Sequence, residues 1–132
     1  MTVNPHTFAD TNDQWFTDAD GIDRVDVHGL GSIWCVMLWD LAWNYIDRYG
    51  YDSNIYNGTG GNNKVMKLVI DAMKLTPANP SLIQCRDAII QADLNTTNGQ
   101  NYCMIWATFA RRGMGINASS GTKTGQVIRS RT

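Results

Sequence analysis

The residues of this 132-residue chain that could carry chemistry are few: two histidines, His6 and His28, three cysteines, Cys35, Cys85 and Cys103, and a scatter of aspartates. No His-Glu-x-x-His run is present, so no helix face offers two zinc ligands beside a general base. Gly-x-Ser-x-Gly, the phosphate-binding loop and Gly-x-Gly-x-x-Gly are missing as well. The cysteines are odd in number and contain no Cys-x-x-Cys; they read as buried thiols that act as small hydrophobes, with one disulfide and a thiol left over as the alternative. One place stands out. His28 falls at the start of an expected helix, with Gly29 and Gly31 in the first turn. Gly29 and Ser32 share a helix face that would let a backbone or a ligand approach closely. A histidine there can donate a hydrogen bond toward developing negative charge, and Asp23 or Asp26 can orient its ring. The plainer account is tight packing by small residues and a histidine that merely opens a helix.

The elements that must position His28 follow from pattern. Residues 1–27 read as an irregular, non-helical entry segment, rich in turn residues and acid. Asp18, Asp20 and Gly21 fit part of a calcium loop, but Phe16 and Val27 occupy its first and last ligand positions, so a solvated acidic loop is expected. A helix is expected over about 28–49. Its first half, Ile33 to Trp39, is apolar all round and should be buried, while Asp40, Asn44, Asp47 and Arg48 form one polar stripe further on. Further helices are expected over about 63–75, 81–94 and 100–112, separated by a glycine-rich loop and by Thr76–Pro80. Arg111 and Arg112 suit the negative end of the last helix, which Gly113 closes. No stretch alternates long enough to read as a strand. The fold class is therefore all-α: a bundle of about four helices over 28–115, with a flexible tail over 116–132.

Composition narrows the function classes. Hydrophobic residues make up 43% of the chain and the net charge is −1, which allows a real core and gives nucleic-acid binding no electrostatic support. No run is long enough to span a bilayer, and Met1–His6 has neither the basic nor the apolar part of a signal peptide. Charged residues reach 17%, short of the usual ~25%, as expected of a surface partly covered by something else or of a secreted protein rich in Asn, Thr, Ser and Gly. Asn57-Gly58-Thr59, Asn95-Thr96-Thr97 and Asn117-Ala118-Ser119 fit the N-glycosylation pattern.

An ordered set of short runs resembles the fungalysin family of secreted zinc metallopeptidases. The runs are Val27–Trp34, Met37–Leu41, Gly60–Asn63, Leu68–Asp71, Asn79-Pro80, Arg86–Ile89, Ala92-Asp93 and Phe109–Gly115, covering about residues 3–120. The resemblance implies the C-terminal helical lobe of a thermolysin-like, extracellular endopeptidase. It implies zinc in the complete enzyme, bound by a His-Glu-x-x-His helix and a downstream glutamate that both lie N-terminal to this region, and no metal in this chain alone. It implies that His28 hydrogen-bonds the tetrahedral intermediate and that Asp23 orients it. The partners it implies are the N-terminal catalytic lobe and a peptide or protein substrate. Two other readings stand beside it: a non-catalytic helical interaction module, and a self-contained metal site using His6, His28 and nearby acids, although zinc sites need three or four close ligands.

Overall fold

The computed structural model describes residues 4–120. Four helices carry the fold: α1 (Val27–Tyr49), α2 (Gly61–Leu75), α3 (Leu82–Thr97) and α4 (Tyr102–Arg111). The all-α expectation holds, with starts and ends within a few residues of the pattern. α2 starts two residues early, because Gly60 and Gly61 enter the helix instead of the loop: Gly60 is its N-cap and Lys64 N donates to the Gly60 carbonyl at 3.0 Å. α3 runs three residues past Leu94. It stops where Asn98 and Gly99 take positive φ, 57° and 79°, a conformation that these residue types tolerate best.

The entry segment differs from expectation. It holds a 3-10 helix over Phe8–Asp13 and an antiparallel hairpin, β1 (Trp15–Thr17) with β2 (Asp23–Val25), paired Trp15↔Val25, Phe16↔Arg24 and Thr17↔Asp23. Three-residue strands are too short to show alternation, and the turn, not the strands, carries the signal. Asp18 accepts from Asp20 N at 3.0 Å and Ile22 N at 2.9 Å and pairs with Arg24. The Ile22 amide, then Arg24, holds its carboxyl below the ordinary carboxylate range. Asp18 thus builds the turn.

The core lies between the helices. α1 contributes Ile33, Met37, Leu41 and Tyr45, one residue per turn. They meet Val65, Leu68 and Ala72 of α2, Ala88, Ile89 and Ala92 of α3, and Ile105 and Phe109 of α4. Phe8 of the 3-10 helix and Met114 close one end. Trp34 stacks on Phe109 with centroids 5.7 Å apart. α1 and α2 approach so closely that a methyl on Gly61 would strike the backbone of Tyr45. The first half of α1 is not buried all round, as its apolar sequence suggested. Cys35 is exposed, and Trp39 keeps 60% of its surface open. Half of the polar stripe on α1 is bonded to α4 and its end: Asn44 Nδ2 donates to Thr108 Oγ1 at 2.6 Å, and Asp40 takes a two-pronged contact from Arg112 at 2.7 and 3.1 Å, while Asp47 and Arg48 are exposed.

That arginine fastens the entry segment to the bundle. Its guanidinium also donates to the carbonyls of Asn4 at 2.6 Å and His6 at 2.9 Å, and its own carbonyl accepts from Phe8 N at 2.7 Å. The Asp40 hydrogen bonds push its pKa upward. Of the tail expected over 116–132, everything from residue 121 on lies outside the described residues.

Candidate functional site

His28 is the second residue of α1, and its side chain is 97% exposed. Asp26 caps the helix: its Oδ1 accepts from His28 N at 3.0 Å, satisfying one of the donors that a helix start leaves unpaired. The same oxygen lies 3.7 Å from His28 Nδ1, too far for a hydrogen bond. Asp26 therefore sets the backbone beneath the histidine. Asp23 is engaged elsewhere: it sits across the hairpin from Thr17, whose hydroxyl donates to its Oδ1 at 2.7 Å. Of the two aspartates that the sequence offered for the orienting role, Asp26 is the one beside the imidazole in this chain.

The small face on the first turn has an occupant of its own. A methyl on Gly29 would run into the Gln14 side-chain amide. That amide donates to the Asp10 carbonyl at 3.2 Å, and the Gln14 carbonyl accepts from Asp26 N at 2.9 Å. Gly29 thus makes room for the entry segment, which buttresses the start of α1. Gly31, by contrast, faces open space. Glycines in the first turn of a helix pointed to a close approach; that the approaching group belongs to the same chain was not visible from spacing.

A different polar arrangement joins α3 to α4. Asp93 is fully buried, yet every contact it makes is a donor: Asn101 N at 3.0 Å, Asn101 Nδ2 at 3.1 Å and Thr97 Oγ1 at 2.7 Å. Asn101 in turn accepts from Tyr49 Oη at 2.6 Å. Burial, with the nearby Asp93 carboxylate, drives the Tyr45 phenol far above its ordinary pKa. Buried Arg86 lies over the Trp106 ring at 4.7 Å and donates to the carbonyls of Met114 at 3.0 Å and Gly115 at 2.7 Å. Sequence reasoning assigned neither Asp93 nor Arg86 an interior role, because a charged residue on a helix ordinarily faces water.

The cysteines are reassigned. Cys35 and Cys103 are exposed and Cys85 is half-buried, so the expectation of three buried thiols is wrong for two of them. Helical periodicity does not say which face a neighbouring helix covers. Burial pushes the Cys85 thiol up in pKa, which lowers its reactivity. Among the described residues no group of three or more His, Cys, Asp or Glu side chains is placed to hold a metal ion. His6 lies near Asp10, Nδ1 to Oδ2 3.9 Å, and His28 near Asp26, so the self-contained metal site is not assembled by these residues.

An apolar groove of about 380 Å³ runs between α1 and α2, lined by Trp39, Ala42, Trp43 and Ile46 of α1, Val65 and Met66 of α2, and Tyr51. Trp39 and Trp43 meet edge to face, 6.0 Å apart. No described helix is long and apolar enough to cross a membrane.

The sequence pattern that defines the fungalysin metallopeptidases matches residues 1–118. The chain belongs to the fungalysin metallopeptidase family. Extracellular metalloproteinase 2 of Arthroderma gypseum is 45% identical over 127 residues, and extracellular metalloproteinase 2 of Trichophyton tonsurans is 43% identical over 127. Extracellular metalloproteinase 4 of Arthroderma otae is 44% identical over 117 residues. The first two matches cover 92% of this chain and the third 83%; each covers 18% of the relative. The fungalysin segment described here thus spans about a fifth of the length of the curated relatives it matches.

Proposed function

We propose that this segment is the helical lobe of the substrate cleft in a secreted zinc endopeptidase, with residues 28–115 as its folded body. In this reading His28 donates a hydrogen bond to the oxygen that gains charge when the peptide carbonyl is attacked. The observation that carries the reading is the bare imidazole of His28, held out at the capped start of α1 in a chain of metallopeptidase family. Most of the ring is free of protein contact, so its outer nitrogen is available to a bound peptide. Asp26 fixes the turn below. Asp23, which the family resemblance implies as the orienting carboxylate, is bonded to Thr17 in this chain; it takes part only if that bond opens when the rest of the enzyme is present.

The residues described do not form a zinc site, so in this reading the metal belongs to the catalytic lobe carried elsewhere in the longer polypeptide. What His28 supplies is a fixed donor near the reacting carbonyl. A donor of this kind is worth about 10²–10³ in rate when it meets the oxyanion and not the ground-state carbonyl. The groove between Trp39, Trp43 and Met66 supports a partner of substantial size, because a domain in water rarely leaves such a patch uncovered. The catalytic lobe is the partner we assign to it. The extracellular names of the relatives support export of the whole protein.

The test is His28→Ala in the complete enzyme. It should lower kcat by about 10²–10³ while zinc content is unchanged. An unaltered kcat would remove the role. The outward apolar groove also favours a second reading, a non-catalytic interaction module. Recombining this segment with a separately made catalytic lobe separates the two: restored peptide hydrolysis supports the cleft lobe, and tight association without activity supports the module.

A further inference from the structure

The three Asn-x-Ser/Thr runs meet different fates in the fold. Asn57-Gly58-Thr59 lies in the loop between α1 and α2, where almost every other amide or carboxylate is committed to the backbone. Asp52 accepts from Asn54 N at 2.9 Å and Thr59 N at 3.0 Å. Asn62 Nδ2 donates to the Asp52 carbonyl at 2.8 Å, and Asn63 Nδ2 donates to the carbonyls of Asn54 and Ile55 at 2.9 Å each. Asn54 Oδ1 accepts from Asn57 N at 3.1 Å. These bonds fix a tight bend, and a methyl on Gly58 would strike the Asn54 carbonyl. Asn57 and Thr59 are exposed, and their side chains have no partner among the described residues. Beside them Tyr56 is 94% exposed and Ile55 54%.

Asn95 is held otherwise. It sits within α3, its Oδ1 accepts from Gln91 Nε2 at 2.7 Å, and the Thr97 hydroxyl is bonded to Asp93 Oδ1 at 2.7 Å and to Gln100 N at 3.1 Å. Asn117 lies in an exposed turn, but the next residue, Ala118, packs against the core and ties that run to the surface.

We propose that Asn57 is the principal N-glycosylation site of this segment, ahead of Asn117, and that Asn95 is not used. The inference rests on the extracellular reading above, since the sugar donor is a lipid-diphosphate-linked oligosaccharide met on the secretory route. In the transfer, Asn57 Nδ2 attacks the anomeric carbon. The new C–N bond replaces the C–O bond to the diphosphate, which leaves with its electron pair, and the amide gives up one proton. Neither the Asn57 amide nor the Thr59 hydroxyl has a bond to break among the described residues, and both are exposed. The product has open solvent to occupy, as a bulky polar modification must.

The experiment sends the whole chain through the secretory route of a yeast and treats the secreted protein with peptide N-glycosidase in isotopically heavy water. Each glycosylated asparagine becomes a labelled aspartate that peptide mapping locates. Asn57→Gln and Thr59→Ala are run alongside; Thr59→Ala keeps the backbone N–H that Asp52 binds, so the loop is preserved. The heaviest label at position 57, with its loss in both variants and none at position 95, is the expected result. The heaviest label at position 95 or 117, or an unlabelled secreted chain, overturns the assignment. The extracellular reading is tested separately, by looking for the native protein in the culture medium of its own organism. Label at position 57 in the yeast product, with the native protein retained in cells, keeps the site and removes that reading.

Discussion

His28 and Asp93 stand at opposite extremes of the same bundle. His28 is almost wholly exposed and bonded only through its backbone. Asp93 is wholly buried and accepts three hydrogen bonds. The polar group that holds the fold has surrendered its surface to its neighbours, while the group proposed for chemistry has kept its surface free. Removing each should therefore have opposite consequences. Loss of Asp93 damages the fold, and loss of His28 leaves the fold intact.

The largest expected effect is that of Asp93→Ala. It strands the buried N–H groups of Asn101 and should cost about 3 kcal/mol of unfolding free energy, read as a lower urea midpoint with an unchanged slope. A change below about 0.5 kcal/mol would show that the α3–α4 junction does not depend on it. Next comes Gly61→Ala, where the new methyl meets the Tyr45 backbone; α1 and α2 must part, at about 2 kcal/mol. An unaffected midpoint would mean that the helices shift freely there. Arg112→Met removes the clamp on Asp40 and on the carbonyls of Asn4 and His6. About 2 kcal/mol is expected, with faster proteolysis confined to the entry segment. Uniform digestion along the chain would contradict the clamp.

Acid should act locally. The backbone N–H groups of Asn54 and Thr59 lower the pKa of Asp52, and that of Thr7 lowers the pKa of Asp10. Both carboxylates have folded-state values below their unfolded ones. Their contribution is present above the ordinary carboxylate range and is lost as the pH falls through it toward the lowered values. The protection of the Asn54, Thr59 and Thr7 amides, relative to their intrinsic exchange, should fall as the pH drops through and below the ordinary carboxylate range, before that of the core amides follows. Simultaneous loss of protection everywhere would remove these aspartates as local supports. Smallest of all is the effect of His28→Ala on stability, within about 0.5 kcal/mol; a larger loss would place the histidine on the Asp93 side of the comparison.

The helices were legible because apolar residues recur at helical spacing, and the turn residues at Gly50, Thr76–Pro80 and Gly113 bound them. The position of His28 at the head of α1 was legible for the same reason. What escaped was which partner covers each face. Asp40 and Asn44 look like a solvated stripe in one dimension, and only the approach of α4 turns them into bonded pairs. Cys35 and Trp39 look buried in an apolar run, but no described element covers the face of α1 that carries them. Gly29 announced a close approach, and Gln14, fifteen residues earlier in chain order, supplies it. Asp93 and Arg86 carry no local mark of burial: the donors to Asp93 come from the end of its own helix and the turn after it, and the carbonyls that Arg86 meets come from the distant turn after α4.

The central claim is that this segment supplies a donor and a cleft wall but no metal site. The most direct test is the zinc content of the purified chain after dialysis against trace zinc. The account predicts a value near zero per chain, with folding unaffected by chelator. About one zinc per chain, held against dialysis, would contradict it and would make His6, His28 and the acidic entry segment the ligands to replace first.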